Sequence, residues 1–249
     1  MRVDFYIIKA DRPDVVSRSG DPEGFSDYRR KKITALKNPA SKRLSTAAGM
    51  AVENGLKKFG LRENDVSYGL NEHGKPFVEG HPEIVFNVSH SGDYAVAAFV
   101  DTEEADAVFV GTEEADRGGS DNGKDLPPKV LWSVGVDIER IDRMNRRIVS
   151  KMKKDVGFDN PSDADEQEKD MTDLCRRWTS AEAFVKCIGT GLISLEEDFH
   201  FEKTPSGYIR LCQDIYDGEF SLIEADAPSG YCITCVVRKQ EIKRRKIKK

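Results

Sequence analysis

A chain of 249 residues is long enough for one or two domains with a sizeable buried core. Apolar residues make up 38%, or roughly 43% when Gly is counted in place of Tyr, just under the globular norm of ~45–50%; charged residues reach 33% against a usual ~25%. The chain is therefore expected to fold with some segments left solvated. Its net charge of −5 argues against nucleic-acid binding as the main function. No apolar run approaches the ~18 residues of a membrane span.

At the N-terminus, Arg2 and Asp4 interrupt the apolar core that a signal peptide would need, so the expected location is the cytoplasm. The five cysteines (Cys175, Cys187, Cys212, Cys232, Cys235) are odd in number and irregularly spaced, which suits reduced thiols. Cys232 and Cys235 have half of a zinc-site spacing, but they fall in a β-like run where residues three apart face opposite ways, and core packing is the expected role.

In chain order, the pattern predicts a strand over Val3 to Ile8, a polar basic helix over Asp27 to Lys32, a helix over Ser41 to Phe59 and β-rich segments after it. These end in a hairpin, Ile84 to Ser89 and Tyr94 to Val100, turned by His90-Ser91-Gly92-Asp93. A second set follows: a strand from Trp132 to Glu139, a helical stretch from Arg143 to Lys154, a helix from Leu174 to Ile188, and strands near Phe199, Tyr208 and Tyr231 to Val237. The two sets match in order and size.

Between them Thr102-Glu-Glu-Ala-Asp106 recurs as Thr112-Glu-Glu-Ala-Asp116, and Asp101 to Asp125 holds nine acids against two basic residues. It reads as a solvated excursion, since the acids lack the spacing of a calcium loop. Asp155 to Asp173 is a second acid-rich connector, and the last twelve residues carry eight Lys or Arg. The expected divisions are residues 1–104, an acidic flexible insertion at 105–128, a second half at 129–237 with the metal site, and a basic tail at 238–249.

In Trp132 to Glu139, Val134, Val136 and Ile138 share one strand face while Asp137 and Glu139 share the other. Two acids side by side are either an exposed polar face or half of a cation site. On the helix 174–188, an apolar stripe of Leu174, Trp178, Ala181, Val185 and Ile188 leaves Glu182 and Lys186 four apart on an adjoining face, an ordinary surface pair if taken alone. Packed against the strand, Asp137, Glu139 and Glu182 could converge on one hard cation such as Mg²⁺, with Lys186 near a phosphate. Ser89 and His90 are adjacent in an extended segment and make a poor nucleophile–base pair; donation to phosphate or a structural turn both remain open.

Taken together, Gly74-Lys75-Pro76, Phe86-Asn87-Val88-Ser89-His90-Ser91, Gly135-Val136-Asp137-Ile138-Glu139 and Trp178-Thr-x-x-Glu182-Ala183-Phe184-x-Lys186 resemble the 4′-phosphopantetheinyl transferases, in their long monomeric surfactin-type branch. The resemblance implies an α+β fold of two similar halves related by a pseudo-twofold, binding coenzyme A and Mg²⁺ between them. It implies transfer of the phosphopantetheine arm to a serine of an apo carrier protein, with release of adenosine 3′,5′-bisphosphate. By the same resemblance Asp137, Glu139 and Glu182 match the metal carboxylates, and Glu182, Lys186 and His90 would carry the catalysis. Arg30, Lys42, Arg43, Lys75, Ser89, His90 and Lys186 would contact coenzyme A. The implied protein is a monomer, with no membrane partner and none expected among nucleic acids. One position departs from the family pattern: Ala181 stands where a lysine precedes the glutamate. On this reading phosphate neutralisation is one cation short, and Ala181→Lys is expected to transfer equally fast or faster. Two alternatives stand beside it, a non-catalytic descendant that binds coenzyme A or carriers, and a Mg²⁺-dependent phosphohydrolase using the same acids.

Overall fold

A computed structural model describes residues 1–101, 129–144, 164–190, 199–203 and 209–242. The tandem repeat and acidic insertion, the stretch 145–163, Tyr208 and the tail beyond 242 lie outside the described residues. The first half runs β1 (Arg2–Lys9), α1 (Pro13–Gly20), α2 (Asp27–Ala35), α3 (Pro39–Leu56), β2 (Tyr68–Leu70), β3 (Pro76–Val78), β4 (Val85–Ser91) and β5 (Tyr94–Asp101). The second runs β6 (Lys129–Arg140), α4 (Ala164–Ile188), β7 (His200–Lys203), β8 (Ile209–Cys212), β9 (Glu219–Ala225) and β10 (Tyr231–Ile242).

The α+β architecture repeats one pattern twice. In the first sheet the last strand, β5, lies between β1 and β4; in the second the last strand, β10, lies between β6 and β9; every pairing is antiparallel. One long helix covers each sheet, α3 on the first and α4 on the second. Strand alternation divides the packing. On β5, Ala95, Ala97 and Phe99 face α3, whereas Val96, Ala98 and Val100 join Val134, Val136, Ile138, Ile233, Cys235 and Val237 in a core shared by both halves. The halves are thus joined by a common apolar layer, and α3 and α4 lie outside it.

Local signals account for the elements. Asn38 accepts from the Ala40 and Ser41 amides and Pro39 occupies the first turn, which starts α3. Gly92 takes a φ of 56° in the β4–β5 turn, where a side chain would be strained. Among the described residues, the elements the pattern did not predict are short or weakly alternating, α1, the β2–β3 hairpin and β9, whereas β8 is the strand expected near Tyr208. Two others are longer than expected. α4 begins at Ala164, so the end of the acidic connector forms its first turns, and β10 continues to Ile242, drawing Arg238 and Lys239 into the sheet opposite Ser133 and Trp132. Among the described residues no helix is long and apolar enough to cross a membrane.

Helix α4 and strand β6 approach closely at Gly135. A Cβ built there would collide with the Ala183 carbonyl and the Cys187 amide, both backbone atoms of α4 that cannot swing aside. The expected effect of Gly135→Ala is a loss of about 1–3 kcal/mol or more, the range for overpacking a close-fitting core. A lower urea midpoint than the wild type checks this, and an unchanged midpoint would refute the close approach.

Candidate functional site

The site forms where β4 and β6 face each other across the two halves. Odd-numbered residues of β4 reach odd and even groups of β6 in step: Asn87 Oδ1 accepts the Val136 amide at 3.0 Å, Ser89 Oγ donates to Asp137 Oδ1 at 2.7 Å, and Ser91 Oγ donates to Glu139. The even residues Phe86 and Val88 pack instead against the α3 side. Asp137 and Glu139 share the face of β6 opposite Val134, Val136 and Ile138, as strand alternation predicts.

Helix α4 brings the counter-charge. Lys186 Nζ donates to Asp137 Oδ1 at 2.6 Å, to Ser89 Oγ at 3.0 Å and to the Val136 carbonyl at 3.3 Å. The Lys186 side chain is 29% exposed and that of Asp137 7%, so this is a largely desolvated pair rather than a surface one. Asp137 Oδ1 is thereby fully occupied, while Asp137 Oδ2 is buried without a hydrogen-bond partner. Glu182 lies one turn earlier on α4 and is itself buried.

These groups line a pocket of about 340 Å³. Asp137, Glu139, Glu182 and Lys186 come from the second half; Arg29, Lys32, Ser45, Ser89 and His90 from the first. Trp178 and Val88 add apolar wall. The acids, together with Lys186, thus come from the second half and the other cations from the first. Burial pushes the Lys32 ammonium below its usual range, and neighbouring Arg29 adds to this. His90 sits at the rim, and loss of hydration first, then Lys32 and Lys186, hold its ring below the ordinary histidine value. An anion entering the pocket would favour the charged forms of Lys32 and His90.

The expected metal acids share the pocket, but as they stand no group of three His, Cys, Asp or Glu among the described residues closes around one point. The donor chemistry still fits a hard cation: the acids offer oxygen, and Asp137 Oδ2 is a buried charged acceptor with no partner.

The expected coenzyme A contacts divide. Ser89, His90 and Lys186 line the pocket; Arg30, Lys42, Arg43 and Lys75 are not among its lining residues. Arg30 is bonded to Glu23 and Asp27 on the exposed side of α2. Lys75 Nζ donates to the Val134 carbonyl at 2.8 Å and the Cys187 carbonyl at 3.5 Å, tying the β2–β3 turn to the second half, and burial pushes its ammonium down. Arg29 and Lys32, three apart on α2, are the basic residues the sequence reading passed over. Arg29 shares the inward side of the helix with Ile33, four residues on, and both are buried.

Residues 133–236 match the family model of the 4′-phosphopantetheinyl transferase superfamily. A 4′-phosphopantetheinyl transferase of Bacillus subtilis is 26% identical over 192 residues, covering 71% of this chain and 70% of its own length. The 4′-phosphopantetheinyl transferase Sfp of Bacillus subtilis strain 168 is 26% identical over 188 residues, covering 75% of this chain and 62% of its own. A crystal structure of a holo-(acyl-carrier-protein) synthase from Bacillus anthracis str. Ames in complex with CoA (3′,5′-ADP) overlaps 39% of this chain and 91% of its own, at 20% identity and a TM-score of 0.32.

Position 181 overturns an expectation. Ala181 is buried and packs with Phe201 against Phe199, Leu211 and Leu222, away from the pocket. A lysine there would bring an ammonium into an apolar cluster without a partner, at a cost of several kcal/mol. Ala181→Lys is therefore expected to lower the thermal midpoint and bring no gain in rate. A stable, faster variant would show that the side chain reaches the pocket after all.

Proposed function

We infer, from the match of residues 133–236 to the 4′-phosphopantetheinyl transferase superfamily, an enzyme that transfers the phosphopantetheine arm of coenzyme A to a serine hydroxyl of an apo carrier protein. The observation that carries this reading is the junction of Ser89, Asp137 and Lys186 inside a pocket that draws its acids from the second half and Arg29, Lys32 and His90 from the first. Such a lining suits a polyanion, and the neutral Trp178 face suits its uncharged parts.

In the reaction the serine oxygen bonds to the phosphorus next to the pantetheine arm. The bond from that phosphorus to the bridging oxygen breaks, and adenosine 3′,5′-bisphosphate leaves with that oxygen and its electron pair. Catalysis of this kind is mainly positioning and charge neutralisation. Lys186 is held at the seam by Asp137 and Ser89, where it can turn its ammonium to a phosphate oxygen. His90 at the rim donates to the same charge, and gains a proton more readily once the phosphate is bound. Glu182, buried in the wall, is the group to accept the serine proton. Mg²⁺, where bound, would be held by Asp137, Glu139 and Glu182 and would supply neutralisation of the pyrophosphate.

Both walls come from one chain, so a monomer suffices. Buried or half-buried free cysteines suit a reducing compartment, and we place the reaction in the cytoplasm.

Incubation with coenzyme A, Mg²⁺ and a panel of apo carriers is expected to add one phosphopantetheine per carrier, read by intact-protein mass spectrometry. Coenzyme A binding without any mass gain would leave a binding protein, and phosphate release without a carrier would favour a phosphohydrolase. Glu182→Gln is expected to slow transfer by about 10²–10⁴-fold, the range for losing a general base, with the circular-dichroism spectrum retained. A near-normal rate would remove Glu182 from the chemistry.

A further inference from the structure

Arg29 is the largest side chain with almost no exposure among the described residues, and it is one of the residues lining the pocket. A buried guanidinium needs a counter-charge. Glu63 provides it from a single 3₁₀ turn, Glu63–Asp65, far along the chain. The carboxylate is wholly buried, and Arg29 Nε stands 3.7 Å from its Oε1 without a hydrogen bond, a contact of charge alone. Glu63 is not among the pocket-lining residues, so any effect on a ligand must pass through a neighbour.

Its remaining bonds go to the start of α2. Ser26 donates its amide to Glu63 Oε2 at 2.6 Å and its hydroxyl to Oε1 at 3.1 Å, and the same hydroxyl accepts the Arg29 amide at 3.3 Å as the helix cap. The carboxylate therefore grips both the cap and the side chain of the helix that carries Arg29 and Lys32. The Arg29 stem is also confined from the α3 side, since a Cβ at Gly49 would press within 3.1 Å of its Cδ. Burial raises the Glu63 carboxyl above its usual range, and Ser26, Arg29 and Tyr68 draw it back only in part.

We propose that Glu63 is a positioning residue of the pocket, fixing Arg29, and with it the face of α2 that carries Lys32, toward the anionic part of coenzyme A. This rests on the functional reading above. The expectation differs from that of a plain helix cap: loss of the carboxylate weakens ligand binding through Arg29, beyond any change in stability.

The test is a double-mutant cycle on the full chain, with the dissociation constant for coenzyme A from calorimetry. Arg29→Gln is expected to weaken binding tenfold or more and Glu63→Gln fivefold or more, and the double variant is expected to bind no more weakly than Arg29→Gln. In the transfer assay the Glu63→Gln effect is expected mainly on KM for coenzyme A rather than on kcat. Affinity of Glu63→Gln within twofold of wild type, or losses that multiply in the double variant, would overturn the proposal. If Glu63→Gln does not fold, Glu63→Asp, which keeps the charge but shortens the reach, is expected to bind at least threefold more weakly, and undiminished affinity would overturn the proposal. Wild-type protein that takes up no coenzyme A would instead sink the functional reading itself.

Discussion

The site depends on one steric constraint, the absence of a side chain at position 135. Gly135 lets the backbone of α4 rest on β6 at a distance that a single methyl group would forbid. Only at that separation does Lys186, one residue before the Cys187 amide that would be struck, reach Asp137 two residues along the strand. The Thr179–Thr234 hydroxyl pair at 2.8 Å holds the same helix on β10, so α4 is tied to both strands whose other faces build the shared core. A close-packed interior transmits such a constraint because it has little free volume to absorb a shift.

That geometry gives the two halves different tasks. The second half places carboxylates and a lysine, and the first places hydroxyls and cations, although the strand order is the same in both. The difference lies in what the facing strands present. β4 offers Asn87, Ser89 and Ser91 at alternate positions, and β6 offers the Val136 amide, Asp137 and Glu139. Three hydrogen bonds in step join the outer strands of the two sheets. The seam is therefore a structural joint and also the floor of the pocket, and a ligand that bonds there reads both halves at once.

The charge balance of the pocket follows from this arrangement. Lys186 is compensated by Asp137 and Arg29 by Glu63, each within the protein, while Lys32 and His90 are held toward their neutral forms by burial and by neighbouring cations. The acids, too, are partly spoken for: Asp137 Oδ1 is saturated and Oδ2 is not. The resting site is thus arranged so that an anion and a cation arriving together would each find an unsatisfied counterpart.

Period and spacing in the sequence determined a good deal. The alternation in Trp132 to Glu139 separated the core face from the acidic face, the four-residue interval placed Glu182 and Lys186 together, and the repeated element order announced two like halves. These are local properties, set by strand and helix geometry whatever the rest of the chain does. Tertiary structure decided what local geometry cannot reach: that Ser89 meets Asp137 across 48 residues of chain, that Ala181 faces an apolar cluster while its neighbour Glu182 lines the pocket, and that Arg29 rather than Arg30 turns inward. It also committed Lys75 to two backbone carbonyls. Adjacent helical positions differ by roughly 100° in direction, so which of two neighbouring basic residues serves the site depends on the packing partner. For Arg29 that partner is a carboxylate 34 positions away, and no pattern within α2 could have revealed it.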